Sequence, residues 1–267
     1  MSHPVVDSRR PILIGMLHVP PLPGSPCASG SFSEVLDHVV RDAESLLKGG
    51  IVNLMLENFG DTPFFPGVVP AHTVAHLTAI AAEVSTRFPN AELGLNVLRN
   101  DGCSALSIAA ATKASFIRVN VLCGARVTDQ GIVQGIAHDL LRLRKTLSAE
   151  HVAILADVDV KHSAPLAERL LADEVEDALK RGHADAIIIS GNATGAAVDV
   201  CQLEEAVSAA GSAPVLIGSG ATAETITALA GLASGFIIGT AVKRDGDVYQ
   251  PVDPERVREI VSVCQWL

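Results

Sequence analysis

Eight short apolar segments recur along this chain, and each gives way to polar or glycine-rich residues before an amphipathic helical stretch begins. The apolar segments are 12–18, 51–58, 93–99, 116–122, 153–160, 186–191, 214–220 and 235–242. The helical stretches are Ser33–Lys48, Val69–Phe88, Gly102–Ala114, Gln130–Leu147, Pro165–Arg181, Val200–Ala210, Ala223–Ala230 and Pro254–Gln265. Ser33 reads as the N-cap of the first, Gly49-Gly50 as its end, and Pro89 as the stop of the second. Alternating strand and helix builds a parallel sheet, because each right-handed crossover returns the chain beside the strand it left. Repeated eight times, the unit favours closure of that sheet, so the expected fold class is α/β, a single (β/α)₈ barrel over residues 1–267. No linker or shift in composition divides the chain, and its 267 residues suit one such barrel.

The fifth segment, Ala153-Ile-Leu-Ala-Asp-Val-Asp-Val-Lys-His162, shows what the strands carry. At the strand period of two, Asp157, Asp159 and Lys161 share one face, and Ile154, Ala156, Val158 and Val160 share the other. An apolar face against helices and a charged face turned inward is what a barrel with a site at its mouth requires. The same parity groups Ile14, Met16 and His18; Asn53, Met55 and Glu57; Arg118 and Asn120; and Ile188, Ser190 and Asn192. The third segment is ambiguous, with Asn96 and Asn100 on one face and Arg99 on the other. The resulting polar ring is His18, Glu57, Asn96, Arg118, Asn120, Asp157, Asp159, Lys161 and Asn192. Glu57, Asp157, Asp159, Lys161 and His18 are the candidate catalytic groups; Asn96, Arg118, Asn120 and Asn192 are candidate substrate ligands. Carboxylates beside a Lys or His act as acid and base when their environments separate their pKa values. Lys161 suits a Schiff base or a phosphate contact, and Asp157 with Glu57 could hold Mg²⁺ through waters. The alternative is an interior ion-pair network, Arg118 with Asp157 for example, that only satisfies buried charge.

The last two strands end in Gly218-Ser-Gly220 and Gly239-Thr240. Glycine lets backbone approach a ligand closely, and the loops after the seventh and eighth strands are where many barrels hold a phosphate. Gly218, Ser219, Gly220, Gly239 and Thr240 are therefore the candidate phosphate cradle, with Lys243 and Arg244 nearby to add charge. Two other loops are long and rich in Pro and Gly, Val19–Ser31 and Asn58–Pro70. The second holds Phe59, Phe64 and Phe65 in a chain with only 3% aromatics, which suits a lid or an interface as well as packing over the rim.

Net charge is −10 with no basic tract, which argues against a nucleic-acid surface. The five cysteines are scattered without CxxC spacing, so reduced thiols of a cytoplasmic protein are expected rather than disulfides or zinc. Arg9-Arg10 ahead of Ile12–Leu17 looks like a signal peptide, but the apolar run is short and ends at His18 and Pro20-Pro21. No stretch approaches the about 18 apolar residues of a membrane span. An apolar fraction of 48% supports a large core and favours a homo-oligomer.

Several strings of this chain resemble the BtpA/SgcQ family along nearly its whole length. They are Ile14-Gly-Met-Leu-His-Val-Pro-Pro-Leu-Pro-Gly-Ser25, Glu57-Asn-Phe-Gly-Asp61, Gly94-Leu-Asn-Val-Leu-Arg-Asn100, Phe116-Ile-Arg-Val-Asn120, Ala156-Asp-Val-Asp-Val-Lys-His162 and Ser190-Gly-Asn-Ala-Thr-Gly195. The resemblance implies a TIM barrel related to ribulose-phosphate-binding barrels. One branch of that family is linked to photosystem I biogenesis, and another sits among sugar-metabolism genes and has been called a nucleoside triphosphatase. The chain has no GxxxxGK[ST] phosphate loop. The leading expectation is an enzyme on a small phosphorylated metabolite, a sugar-phosphate isomerase, epimerase or lyase, with no certain cofactor beyond a possible Mg²⁺. Two alternatives stay open: a non-catalytic assembly factor on a barrel scaffold, and metal-assisted hydrolysis of a phosphate ester or nucleotide.

Overall fold

The structure is a computed structural model that describes residues 11–159, 162–191 and 198–264. In chain order it runs β1 (Ile12–His18), α1 (Phe32–Gly49), β2 (Asn53–Glu57), α2 (Ala71–Arg87), β3 (Glu92–Asn96), α3 (Gly102–Thr112) and β4 (Phe116–Val119). It continues through β5 (Ala125–Thr128), β6 (Gly131–Gln134), α4 (Ala137–Thr146), β7 (Ala153–Val158), β8 (Ser163–Pro165) and α5 (Leu171–Glu176). The last third holds β9 (Ala186–Ile189), α6 (Val200–Ala210), β10 (Val215–Ile217), α7 (Ala223–Leu229), β11 (Gly235–Ile238) and α8 (Pro254–Cys264).

Eight of these strands close a parallel barrel in the order β1-β11-β10-β9-β7-β4-β3-β2, one from each expected apolar segment. Alternation sorts each strand between two cores. Outward residues such as Leu17, Leu54, Leu56, Ile117, Ile154, Ile187 and Ile238 pack under the helices. Inward residues such as Ile14, Met16, Met55, Phe116, Leu155, Ile188, Leu216 and Ile237 fill the barrel, which is therefore packed rather than hollow. Phe116 takes so much of that space that its neighbour across the ladder must be Gly94: a Cβ there would lie 2.1 Å from the Phe116 ring.

Some expectations are corrected. The stretch from Gln130 is not helical. Residues 125–134 form a hairpin, because β-branched Val127, Thr128, Ile132 and Val133 flank an Asp129-Gln130-Gly131 turn whose glycine has φ +93°. Only from Ala137 does the chain turn helical, burying Leu140. Pro165 likewise does not open a helix. It ends β8, which pairs with β5 to complete a three-stranded antiparallel sheet, and the helix starts at Leu171. The cap of α1 is Ser31, not Ser33. Ser31 Oγ accepts from Glu34 N–H while the Glu34 carboxylate accepts from Ser31 N–H at 2.6 Å, and that reciprocal pair sets the start two residues earlier. Among the described residues no helix is long and apolar enough to cross a membrane.

Candidate functional site

At the C-terminal mouth the inward residue of each strand or strand end is polar or glycine. Ladder register aligns His18, Glu57 and Asn96 across β1, β2 and β3. Asn96 Nδ2 donates to Glu57 Oε2 at 2.6 Å, and His18 Nε2 lies 3.9 Å from Glu57 Oε1. This resolves the third strand: Asn96 faces the mouth, while Asn100 lies beyond it and ties β3's loop to the hairpin through Val121 and the Gln134 carbonyl. Phe59 covers the His18 ring with centroids 4.7 Å apart, so one aromatic of the Asn58–Pro70 loop does sit over the site. Phe65 stays exposed, although its carbonyl accepts from Arg99 N–H.

Across the mouth Arg118 grips Asp157 with both arms, Nε to Oδ2 and Nη2 to Oδ1, each at 2.8 Å, and Asn120 Nδ2 adds a bond to Oδ2 at 3.0 Å. Burial alone would lower the Arg118 pKa. The charge and hydrogen bonds of Asp157, with Glu57 further off, outweigh that and raise it, so the guanidinium stays charged in a dry site. Arg99 is a second buried cation facing the same charges. Burial pushes its pKa down and Arg118 adds to that, while Asp157, Asp129 and Glu57 pull it back.

One cavity of about 190 Å³ joins this charged side to the glycine loops. Its walls are His18, Glu57, Phe59 and Arg118 on one side and the 218–222 and 239–241 segments on the other. Gly218 makes the junction possible, since a Cβ there would meet Ser190 Oγ at 2.5 Å and Arg118 Nη2 at 3.3 Å. Gly239 leaves the corresponding room for His18, 2.9 Å from where its Cβ would stand. Gly220 adopts φ +71°, a left-handed conformation that glycine reaches without strain. The loop is braced from below: Gly218 N–H bonds Ile189 O, Gly191 N–H bonds Ser219 Oγ, and Thr222 forms a capping box with Thr225.

The structure reassigns several of the sequence candidates. Asp159 does not continue the line of Asp157, because β7 stops at Val158 and Asp159 turns left-handed with φ +50°. Its carboxylate pairs with Arg126 of the hairpin. Lys243 does not reach the glycine loops either. It is buried against Asp42 of α1, which also accepts Val252 N–H, and so fastens the last loop to the first helix, while Arg244 is exposed. Lys161 and Asn192 lie outside the described residues. Glu57 and Asp157 are each engaged by other side chains, and among the described residues no three His, Cys, Asp or Glu gather around one point that could hold a metal. The five cysteines are free thiols.

Phe59, Arg99, Ser190 and Thr222 join the mouth although sequence reasoning left them out of the candidate set. For Ser190 the parity signal was present. Arg99 was read by parity onto the face opposite Asn96, but the strand ends at Asn96, so that parity does not reach it, and Phe59 likewise lies beyond its strand.

Fold and mouth together define a (β/α)₈ barrel with a charged cavity at the C-terminal ends of its strands. Residues 9–265 match the BtpA family, and the chain belongs to that family. An uncharacterized protein of Thermococcus kodakarensis is 45% identical over 262 residues, covering 98% of both chains. The photosystem I biogenesis protein BtpA of Synechocystis is 43% identical over 250 residues, covering 94% of this chain and 86% of that one. Among solved structures, N-(5'-phosphoribosyl)anthranilate isomerase from Pyrococcus furiosus superposes with a TM-score of 0.60, covering 96% of this chain and 100% of that one, at 12% identity. At that identity the likeness concerns the fold.

Proposed function

We propose that this protein is an enzyme acting on a small phosphorylated metabolite, by isomerisation, epimerisation or carbon–carbon cleavage. One observation carries the reading: a single cavity places the Gly218–Thr222 and Gly239–Thr240 turns opposite His18, Glu57 and Arg118. In this reading the phosphate lies on the amides of Ser219, Gly220 and Ala221 and on Thr240, with Arg118 supplying the nearby positive charge in a chain of net charge −10. Glu57 then faces the carbon skeleton and takes a proton from it, held in orientation by Asn96. His18, whose Nε2 lies 3.9 Å from Glu57 Oε1, polarises or protonates the adjacent oxygen. Phe59 covers the pair and keeps water out. Arg118 fixes Asp157 as its counter-ion, which makes Asp157 a positioning residue.

Titration calorimetry with orthophosphate, and then a thermal-shift panel of phosphorylated sugars and nucleotides with and without Mg²⁺, tests this. Saturable phosphate binding that is lost in Arg118→Met supports it. Absence of binding by orthophosphate and by every phosphorylated compound refutes it. The Mg²⁺ arm separates plain proton transfer from metal-assisted hydrolysis, which predicts a metal-dependent shift.

The name of the Synechocystis relative, a photosystem I biogenesis protein, favours a second reading, an assembly factor that uses the barrel as a scaffold. In that case Glu57→Gln leaves the cellular phenotype intact, whereas changes to the Phe65 rim abolish it.

A further inference from the structure

A second cavity, of about 300 Å³, lies on the far side of the Arg118–Asp157 pair, between the hairpin, the end of β7 and α5. Arg118 lines the first cavity and Asp157 the second, so one ion pair forms the wall between them. The second cavity differs in its electrostatics. Among the described residues its cations are already paired. Arg126 gives Nη1 to Glu174, Nη2 to Asp159 and Nε to Ser163 Oγ, and Arg169 pairs with Asp177 at 2.7 Å. Among the described lining residues Asp157, Asp159, Glu174 and Asp177 stand against Arg126 and Arg169, four carboxylates to two guanidiniums. The wall also holds an unmet acceptor: Asn120 is 4% exposed, its Nδ2 donates to Asp157, and its Oδ1 has no partner among the described residues. A buried amide oxygen without a donor costs about 1–3 kcal/mol, so such a group marks where a donor arrives.

We infer that this second cavity takes a hydrogen-bond-donating, uncharged or cationic part of the ligand, an amine or polyol arm that meets Asn120. The inference rests on the phosphate reading for the other end of the molecule. It narrows the substrate class to a phosphate monoester with a donor-bearing tail long enough to pass over the Arg118–Asp157 wall. It excludes a bisphosphate, whose second phosphate would face a wall where, among the described residues, carboxylates outnumber cations and each cation is already paired.

Calorimetry with orthophosphate, glucosamine 6-phosphate and fructose 1,6-bisphosphate on the full chain tests this. The amino-sugar phosphate should bind at least about tenfold tighter than orthophosphate, and the bisphosphate should show no such gain. The ratio should fall toward one in Asn120→Ala, and also in Ala167→Trp, which fills the cavity from its exposed rim without disturbing the core. Equal affinity for the bisphosphate, or a ratio that survives Ala167→Trp, overturns the inference while leaving the phosphate reading standing. If orthophosphate and every phosphorylated compound fail to bind, the phosphate reading falls, and unphosphorylated glucosamine at high concentration decides the cavity alone. A shift of the Asn120 side-chain amide resonance that disappears in Ala167→Trp supports it, and no shift overturns it.

Discussion

Removing one member of the Arg118–Asp157 pair should separate what that pair does for folding from what it does for binding. The side chains are 3% and 0% exposed, and two bonds of 2.8 Å join them. With charge centres about 4 Å apart and an effective dielectric constant near 20, their attraction is about 4 kcal/mol. In Asp157→Leu the guanidinium loses that attraction and cannot shed its proton, so the variant should lose about 3–5 kcal/mol of stability. For a chain of this size that corresponds to a drop in melting temperature of roughly 6–20 °C. Arg118→Met should cost a similar amount. The double variant Arg118→Met/Asp157→Leu replaces both charges with apolar volume, relieves Arg99 of its like-charged neighbour as it removes Asp157, and leaves the Asn120 amide without its acceptor, so it should recover at least about 2 kcal/mol over either single change. Urea unfolding with a constant m-value measures all three. Under the proposed function the recovered double variant remains unable to bind orthophosphate, because the cavity has lost its cation. If Asp157→Leu costs less than about 1 kcal/mol, or the double variant is no more stable than the singles, the account of a dry, mutually dependent pair is wrong.

Gly94→Ala should lose about 1–3 kcal/mol in urea unfolding, since its Cβ would lie 2.1 Å from the Phe116 ring, and Phe116→Leu should restore most of the loss. Burial pushes the Asp42 carboxyl up, but His38, Lys243 and the Val252 N–H together hold it below its ordinary 3.8. Its stabilising contribution is therefore present above about pH 3.8 and lost as pH falls through the lower folded value. In Lys243→Met burial gains weight and that carboxyl rises. The stability gap between the variant and the natural protein should then narrow as pH falls toward 4 in a melting-temperature series, and a gap independent of pH would refute this. Phe59→Ala should open the cavity above His18 and weaken binding of whichever phosphorylated compound the panel selects, with little change in melting temperature. Ser31→Ala removes half of a capping box and should cost about 1 kcal/mol, whereas Ser33→Ala should cost almost nothing.

The barrel was legible because its signal is repeated and local. Each of its eight strands carries the same period-two sorting, and the inward parity read for His18, Glu57, Arg118 and Asp157 is the parity the closed barrel has. Reading failed where an apolar, β-branched stretch lacked a helix's length or cap. The 125–134 hairpin is such a case, since its strands become stable only by pairing with each other and with β8 over the barrel rim. Asp159 failed for a related reason: one left-handed residue after β7 ends the alternation, and sequence spacing does not register that turn. Lys243 and Asp42 are 201 residues apart and meet only because the last barrel loop returns to the first helix.

By itself, the sequence determined that the chain alternates strand and helix eight times and turns polar residues toward the strand ends, because both follow from local hydrophobic periodicity. Only the tertiary structure decided which of those polar residues share a cavity. Closing the sheet brings β1 against β11 and sets Arg118 between Asp157 and the glycine of β10's end, and such distances depend on register and barrel curvature that no local pattern records.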